Sequence, residues 1–250
     1  MRMRVDAVYL CALLLGCGGS SGSPDAPGDP PPGTPGVGAH ALVYYGLHTN
    51  EVASIATPSL TTQATGSMII VSVGRGEIAA FEPPTDNKGN GPYPQLDTTH
   101  NYTHYENSGT ALYAGRATTG GEGFKVTAST NPSDEITLAA VEVIHAGSVV
   151  DAQWNEIVQP STPIPVTSNR VTTTGAATLV AFWWGDAPEP GNKTAVPNNG
   201  FRVIDSILRE GALVQCAVAV KDVAAAGTYD VTWTTSPIQG AQLWLVAVQP

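Results

Sequence analysis

An all-β fold, an antiparallel two-sheet sandwich of jelly-roll type, is what this 250-residue sequence predicts, and three observations predict it. From residue 40 onward the chain is a succession of short runs rich in Val, Ile, Thr and aromatic residues, the types that fit a pleated, half-buried surface. Between the runs lie clusters of Gly, Pro, Asn and Asp, which reverse a chain because Gly and Asn tolerate positive φ and Pro presets φ while refusing a ladder bond. No segment carries a sustained apolar period of about 3.6 residues. Many short strands without intervening helices pack as an antiparallel sandwich or barrel, and at this length two packed sheets are the natural form.

In chain order the expected strands cover residues 41–45, 68–73, 111–117, 124–129, 136–144, 179–184, 201–208, 213–220, 228–234 and 242–248. The stretch 203–208 fits either period, and its Val and Ile content decides for a strand. Expected turns lie at 86–90, 119–121, 131–133, 188–192 and 197–200. A short internal echo fits a sandwich built of two halves. Thr61-Thr62 precedes the run that ends at Gly74, and Thr173-Thr174 precedes the run that ends at Gly185. It is too short to establish a repeat.

The first 17 residues read as an export signal. Arg2 and Arg4 supply its positive start, and residues 7–15 form an apolar run too short to span a bilayer, which takes roughly 20 helical residues. The run closes on Leu14-Leu15-Gly16-Cys17, which resembles the lipobox of bacterial lipoproteins: Leu14, Gly16 and Cys17 match it, and Leu15 stands where a small residue is usual. The resemblance implies lipidation of Cys17 as the first mature residue and, with Gly18 rather than Asp following, sorting to the outer membrane. The plainer alternative is an ordinary signal peptide cut slightly later. Residues 18–38 are almost entirely Gly, Pro, Ser, Asp, Ala and Thr, a composition that buries too little apolar surface to offset its ordering entropy, and so read as a tether. The folded part is expected from residue 39 to 250.

Charge narrows the function classes. Twenty-one acidic against eleven basic residues give a formal charge of −10, without the basic footprint that nucleic-acid binding requires. The same balance disfavours adsorption of the protein surface to anionic lipid, leaving the Cys17 lipid as the expected membrane partner. Of three cysteines, Cys11 leaves with the signal and Cys17 carries lipid, so Cys216 remains without a disulfide partner and reads as a small buried hydrophobe.

The densest polar-aromatic stretch is 97–106. As a strand it would put His100, Tyr102, His104 and Glu106 on one face, a row suited to acid–base chemistry or sugar recognition. A shared metal suits it less: on a flat strand His100 and His104 stand roughly 13 Å apart, whereas zinc sits about 2.1 Å from each imidazole nitrogen. A solvated face is the plain alternative. Arg75 and Arg116, cations at strand ends, could meet a substrate carboxylate or pair with the plentiful acids. Asp86, Asn87 and Asn90 offer oxygen ligands for Ca²⁺ but lack the full calcium-loop pattern, and an Asx-stabilised turn explains them equally. Otherwise no cofactor is expected. Trp183 and Trp184 would point to opposite faces of a strand, leaving one, taken as Trp184, for stacking on a partner. No nucleophile elbow, zinc-protease, phosphate-loop or dinucleotide motif occurs.

With the turn Asp86, Gly89, Asn90 and Thr-rich runs, the chain is similar to secreted bacterial β-sandwich domains that carry an Asp-x-x-Gly-Asn hairpin, a resemblance that implies a fold and no activity. Three functions are compatible with the sequence. One is a surface-displayed binding or adhesion module, with carbohydrate as one candidate ligand. Another is an extracellular polysaccharide lyase or hydrolase using the 97–106 row. A structural envelope protein is the third, because fold alone does not choose among them.

Overall fold

A computed structural model describes residues 33–46, 53–77, 81–131, 134–158, 165–186, 195–235 and 241–250. Cys17 and the expected turn at 188–192 lie outside the described residues, which contain no helix. Ten strands form the first half: β1 Gly36–Tyr45, β2 Ser54–Ala56, β3 Leu60–Thr61, β4 Ser67–Arg75, β5 Thr85–Asp86, β6 Gln95–Asn101, β7 Gly109–Ala117, β8 Glu122–Phe124, β9 Val126–Ser129 and β10 Ile136–Ile144. Ten more form the second: β11 Ser148–Ile157, β12 Val166–Thr167, β13 Val171–Thr173, β14 Ala177–Asp186, β15 Val196–Pro197, β16 Arg202–Ile207, β17 Val214–Val223, β18 Gly227–Tyr229, β19 Thr232–Thr235 and β20 Ala241–Gln249. Eight of the ten expected runs fall on single strands, while 124–129 and 228–234 are each divided between two strands of different sheets, β8 with β9 and β18 with β19. β1 begins at Gly36, inside the stretch read as tether, and the ten-residue β11 lies where no strand was expected.

The fold is an all-β assembly of antiparallel sheets, and the two halves repeat one topology. The first half forms a five-stranded sheet in the order β1-β10-β4-β7-β6, the second a five-stranded sheet in the order β11-β20-β14-β17-β16. Each half adds a three-stranded and a two-stranded sheet, β2-β9-β5 with β3-β8 and β12-β19-β15 with β13-β18. Matched in chain order, the ten strands of one half occupy the same places as the ten of the other. The short echo read from the sequence falls on equivalent strands, but not in register. Gly74 and Gly185 are an odd number of positions apart, so alternation turns Gly74 toward the other five-stranded sheet and Gly185 away from it.

Strand alternation builds three apolar cores. Ile69, Val71 and Val73 of β4 face the small sheets of the first half, meeting Phe124, Val126 and Ala128. Leu179, Ala181 and Trp183 of β14 do the same in the second half, meeting Val166, Val171 and Trp233. The alternate residues, Met68 and Ile70 of β4 and Val180, Phe182 and Trp184 of β14, fill a third core between the two five-stranded sheets. The central strands β4, β14 and β20 are covered on both faces and buried along their whole length, which is why they read as continuous apolar runs. Full burial of each large side chain contributes about 1.5–3 kcal/mol.

The two halves also meet along both sheet edges. β1 lies against β16, where His40 Nδ1 and Asp205 Oδ2 are 2.7 Å apart. At the opposite edge β6 meets β11: the His100 ring stacks on Trp154 with centroids 3.9 Å apart, and the Thr103 amide donates to Glu156 Oε1 at 2.9 Å. A polar seam crosses the shared core. Trp244 Nε1 donates to Thr110 Oγ1 (2.9 Å), Thr110 Oγ1 donates to Gln242 Oε1 (2.6 Å), and Gln242 Nε2 donates to the His100 carbonyl (3.0 Å). The seam satisfies buried polar atoms that would otherwise each cost about 1–3 kcal/mol.

Candidate functional site

The structure separates the residues of the 97–106 row. Asp97 adopts a left-handed backbone (φ 60°) and breaks the β6–β7 register between Leu96 and His100, and the strand ends at Asn101. Beyond it, residues 102–108 form a compact loop closed by the Ser108 amide on the Tyr105 carbonyl, 2.9 Å. His100, Tyr102, His104 and Glu106 therefore do not share one strand face. His100 is wedged between Asp97 Oδ2 (2.9 Å) and the Trp154 ring. That hydrogen bond holds the Asp97 carboxyl below its ordinary range. Tyr102 is 1% exposed and packs edge-on against Trp184 in the shared core, so its ring is not available for stacking on a ligand. His104 and Glu106 remain exposed on the loop.

The other candidates are also relocated. Trp183 and Trp184 do point to opposite faces, but both are buried, because each face of β14 is covered. Arg75 is 4% exposed; its Nε donates to Asp134 Oδ2, and Phe81 lies over its guanidinium, so it is engaged within the fold. Arg116 is exposed and donates to the Ala146 carbonyl at 3.2 Å. At 86–90 the oxygens proposed for calcium accept the protein's own donors. Asp86 Oδ1 takes the Lys88 amide (2.7 Å), Asp86 Oδ2 the Tyr93 hydroxyl (2.6 Å), Asn87 Oδ1 the Lys125 amide (2.8 Å) and Asn90 Oδ1 the Thr118 and Thr119 amides (2.9 Å each). With Gly89 at φ 83°, the segment is a hydrogen-bonded turn, and no cluster of metal-binding side chains occurs among the described residues.

Where the 102–108 loop reaches the ends of the central strands, it walls a cleft of about 520 Å³. Gly76 and Glu77 follow β4, Glu135 precedes β10, Asp186 ends β14, Leu213 precedes β17, and His104, Tyr105, Glu106 and Asn107 form the remaining wall. The cleft thus lies between the two halves, at the same end of β4 and β14, as the packing of Trp184 against Gly74 requires. Its floor is fixed by the ion pair behind it: Asp134 Oδ1 accepts the Glu77 amide at 2.8 Å, and the Gly76 amide donates to the Glu135 carbonyl at 3.0 Å.

Among the described residues of the cleft lining the charged groups are acidic. Burial, with Asp186, Asp134 and Glu77 nearby, pushes the Glu135 carboxyl up to about 7. Burial, then Asp134, pushes Asp186 up to about 6, against the opposing effect of a hydrogen bond from Ser108. The Asp134 carboxyl is also raised, by burial, although the Glu77 amide and Arg75 oppose the shift. A carboxyl whose folded value is raised binds its proton more tightly in the folded state, so stability is highest in acid and falls as pH rises through the folded value. The contribution of Glu135 therefore declines between about 4.5 and 7. Glu135→Gln should flatten that part of the thermal stability profile and raise the melting temperature at pH 8 by a few degrees, about 1 kcal/mol. An unchanged melting temperature at pH 8 would mean that Glu135 carries no such strain.

The arrangement can bind and can exchange protons: carboxylates accept hydroxyl or ammonium donors, the half-exposed Tyr105 ring offers an apolar face, and the His104 ring meets it edge-on at 4.4 Å. Sequence reasoning found His104 and Glu106 and missed Tyr105, Glu77, Glu135 and Asp186. Glu135 and Asp186 each stand directly beside a long apolar run, and a carboxylate at the end of a buried strand was the available signal. No family model, curated protein or solved structure matches the chain.

Proposed function

We propose that this chain is an exported, lipid-anchored protein of the bacterial outer membrane that acts as a surface-displayed binding module for carbohydrate, with the cleft between its halves as the binding site. The observation that carries the reading is the exposed Tyr105 ring, 41% accessible, standing in a cleft with His104, Asn107 and four carboxylates. Sugars are held by aromatic faces against their C–H surface and by planar acceptors for their hydroxyls, and both are present. The lipobox-like Cys17 and the tether after it support display at a membrane.

Two measurements test the parts separately. On a glycan array, Tyr105→Ala should lose most of the binding of the parent protein, roughly tenfold or more for a stacking contact of about 1.5 kcal/mol. Retention of full binding would place the site elsewhere. Cys17→Ser should move the protein from the membrane to the soluble fraction, and unchanged partitioning would overturn lipidation.

One observation favours a second reading, glycan hydrolysis. Glu135 and Asp186 share the cleft, and carboxyls raised to about 7 and about 6 suit general acid–base work near neutral pH. On this reading Glu135→Gln abolishes release of reducing ends while sparing affinity, because proton transfer acts chiefly in the transition state.

A further inference from the structure

We infer a second binding site, separate from the cleft, that takes the carboxylate of a uronic acid. It is a pocket of about 410 Å³ lined by Arg170, Asn199, Lys221, Thr228, Tyr229 and Asp230, a volume within the range of small-molecule sites. All six residues lie inside the continuous described stretches 165–186 and 195–235. Lys221 comes from β17, seven residues beyond Val214 and so about 23 Å along the strand from the cleft end. It shares a strand face with Ala217 and Ala219, the face turned to the small sheets of the second half. Strand register gathers the rest. Val171 pairs with Tyr229, which sets Arg170, just before β13, beside Asp230, just after β18.

The pocket's one acid is fully engaged, and its two cations are not. Arg170 Nε donates to Asp230 Oδ2 at 3.1 Å, and Asn199 Nδ2 donates to Asp230 Oδ1 at 3.3 Å. The Lys221 ammonium stands 5.8 Å and 5.6 Å from the ring centroids of Phe201 and Tyr229. Those rings hold the charge in place without accepting its three N–H bonds in ordinary hydrogen bonds. Asp222, next to Lys221 in sequence, lies on the opposite strand face and accepts the Thr178 hydroxyl at 2.6 Å. The terminal nitrogens of Arg170 have no hydrogen-bond partner among the described residues. Two cations are thus fixed at one pocket with most of their donors unspent.

The balance of charge selects the ligand. Two cations and one acid leave one net positive charge in the lining, which a single carboxylate neutralises. A phosphate monoester brings roughly 1.5 to 2 negative charges and would be repelled by Asp230. A neutral sugar would leave the two cations uncompensated. The planar end of Arg170 and the ammonium of Lys221 suit the two oxygens of a carboxylate. The other lining groups suit hydroxyls: Asp230 accepts, Asn199 and Thr228 both donate and accept, and the half-buried Tyr229 ring offers an apolar face. A uronic acid carries the carboxylate and the hydroxyls on one small rigid ring. An acidic peptide brings a carboxylate on a flexible stem, with no hydroxyl beside it.

The test is calorimetric titration of the mature full-length protein, at neutral pH and low salt, with four probes. These are an oligogalacturonate, its methyl ester of equal length, triglutamate and inorganic phosphate. The oligogalacturonate should bind roughly tenfold or more tightly than the ester, whose carboxylates are capped, and should weaken as salt is added. Lys221→Gln and Arg170→Gln should each weaken it roughly fivefold or more, while the ester binds variants and parent alike. The Arg170 side chain is 72% exposed, so folding is not at risk in that variant. Arg209→Gln, which removes a charge beyond the far end of β16, should leave binding unchanged. Equal binding of acid and ester, or of the parent and both pocket variants, overturns the site. Tighter binding of phosphate overturns the carboxylate, and triglutamate binding as tightly as the oligogalacturonate overturns the sugar. An oligogalacturonate that does not bind at all overturns the whole inference. The reading of the cleft is independent of these outcomes, since it answers to Tyr105→Ala.

Discussion

Replacing Arg75 with Leu should lower the unfolding free energy by about 3–5 kcal/mol at neutral pH, the typical effect of removing one partner from a buried ion pair. The side chains of Arg75 and Asp134 are 5% and 1% exposed, so water cannot take the place of the lost guanidinium. The damage is pH-dependent in a defined sense. Burial already raises the Asp134 carboxyl with Arg75 present, and without Arg75 it rises further. The variant's folded state then binds a proton that the unfolded chain binds less tightly, so its deficit shrinks as pH falls through the new folded value. Urea denaturation at neutral and acid pH checks both the size and the sign. The double variant Arg75→Leu with Asp134→Asn should recover much of the loss at neutral pH, since no uncompensated charge remains. A single-variant loss below about 1 kcal/mol would show the pair to be worth no more than a surface one. Because Asp134 also accepts the Glu77 amide, the single variant should loosen the floor of the cleft as well.

Trp184→Ala should be comparably severe, about 3–5 kcal/mol, because it opens a cavity in the core shared by the two halves. The packing there leaves no spare volume. Gly74 lies opposite the indole, and a Cβ at that position would overlap the ring nitrogen. Gly74→Ala should therefore destabilise the protein by about 1–3 kcal/mol through overpacking. The two sites should couple: in a Trp184→Leu background the added methyl group finds room, and Gly74→Ala becomes nearly neutral. Additive losses across that double-mutant cycle would mean that the two residues do not share one void.

The central strands were legible because being covered on both faces writes them as unbroken apolar runs, as in residues 179–184 and 243–248. β11 was not. Its sequence, SVVDAQWNEI, alternates weakly, and its residues are mostly half-buried. It sits at a sheet edge, where packing demands little of the side chains. Turns at 86–90 and 197–200 could be read from local chemistry, since Gly89 and Asn199 supply the positive φ those turns require. The 97–106 row was misread because a single left-handed residue, Asp97, resets strand alternation; Asp tolerates that conformation better than most residues, but it occupies ordinary backbone far more often, so its presence alone does not mark the break. The cleft was half legible for a different reason. Its walls come from five separate chain segments, and their meeting depends on the packing of one half against the other rather than on any local spacing.

The edge contacts cross over. β1, the first strand of its half, lies on β16, whereas β11, the first strand of the other half, lies on β6. A half-turn about an axis parallel to the strands, passing between β4 and β14, produces this exchange, so one chain reproduces the contact pattern of an isologous homodimer. In a true homodimer every residue on such an axis meets its own copy, and a site there is bound to present the same groups twice. A continuous chain is free of that constraint. The positions that end β4 and β14 at the mouth of the axis are Arg75 and Asp186, a cation turned inward to Asp134 and an acid turned to the cleft. The pocket is thus asymmetric at the point where symmetry would be strictest. Its two sides present different groups, so a polar, directional chain would meet them differently in its two orientations.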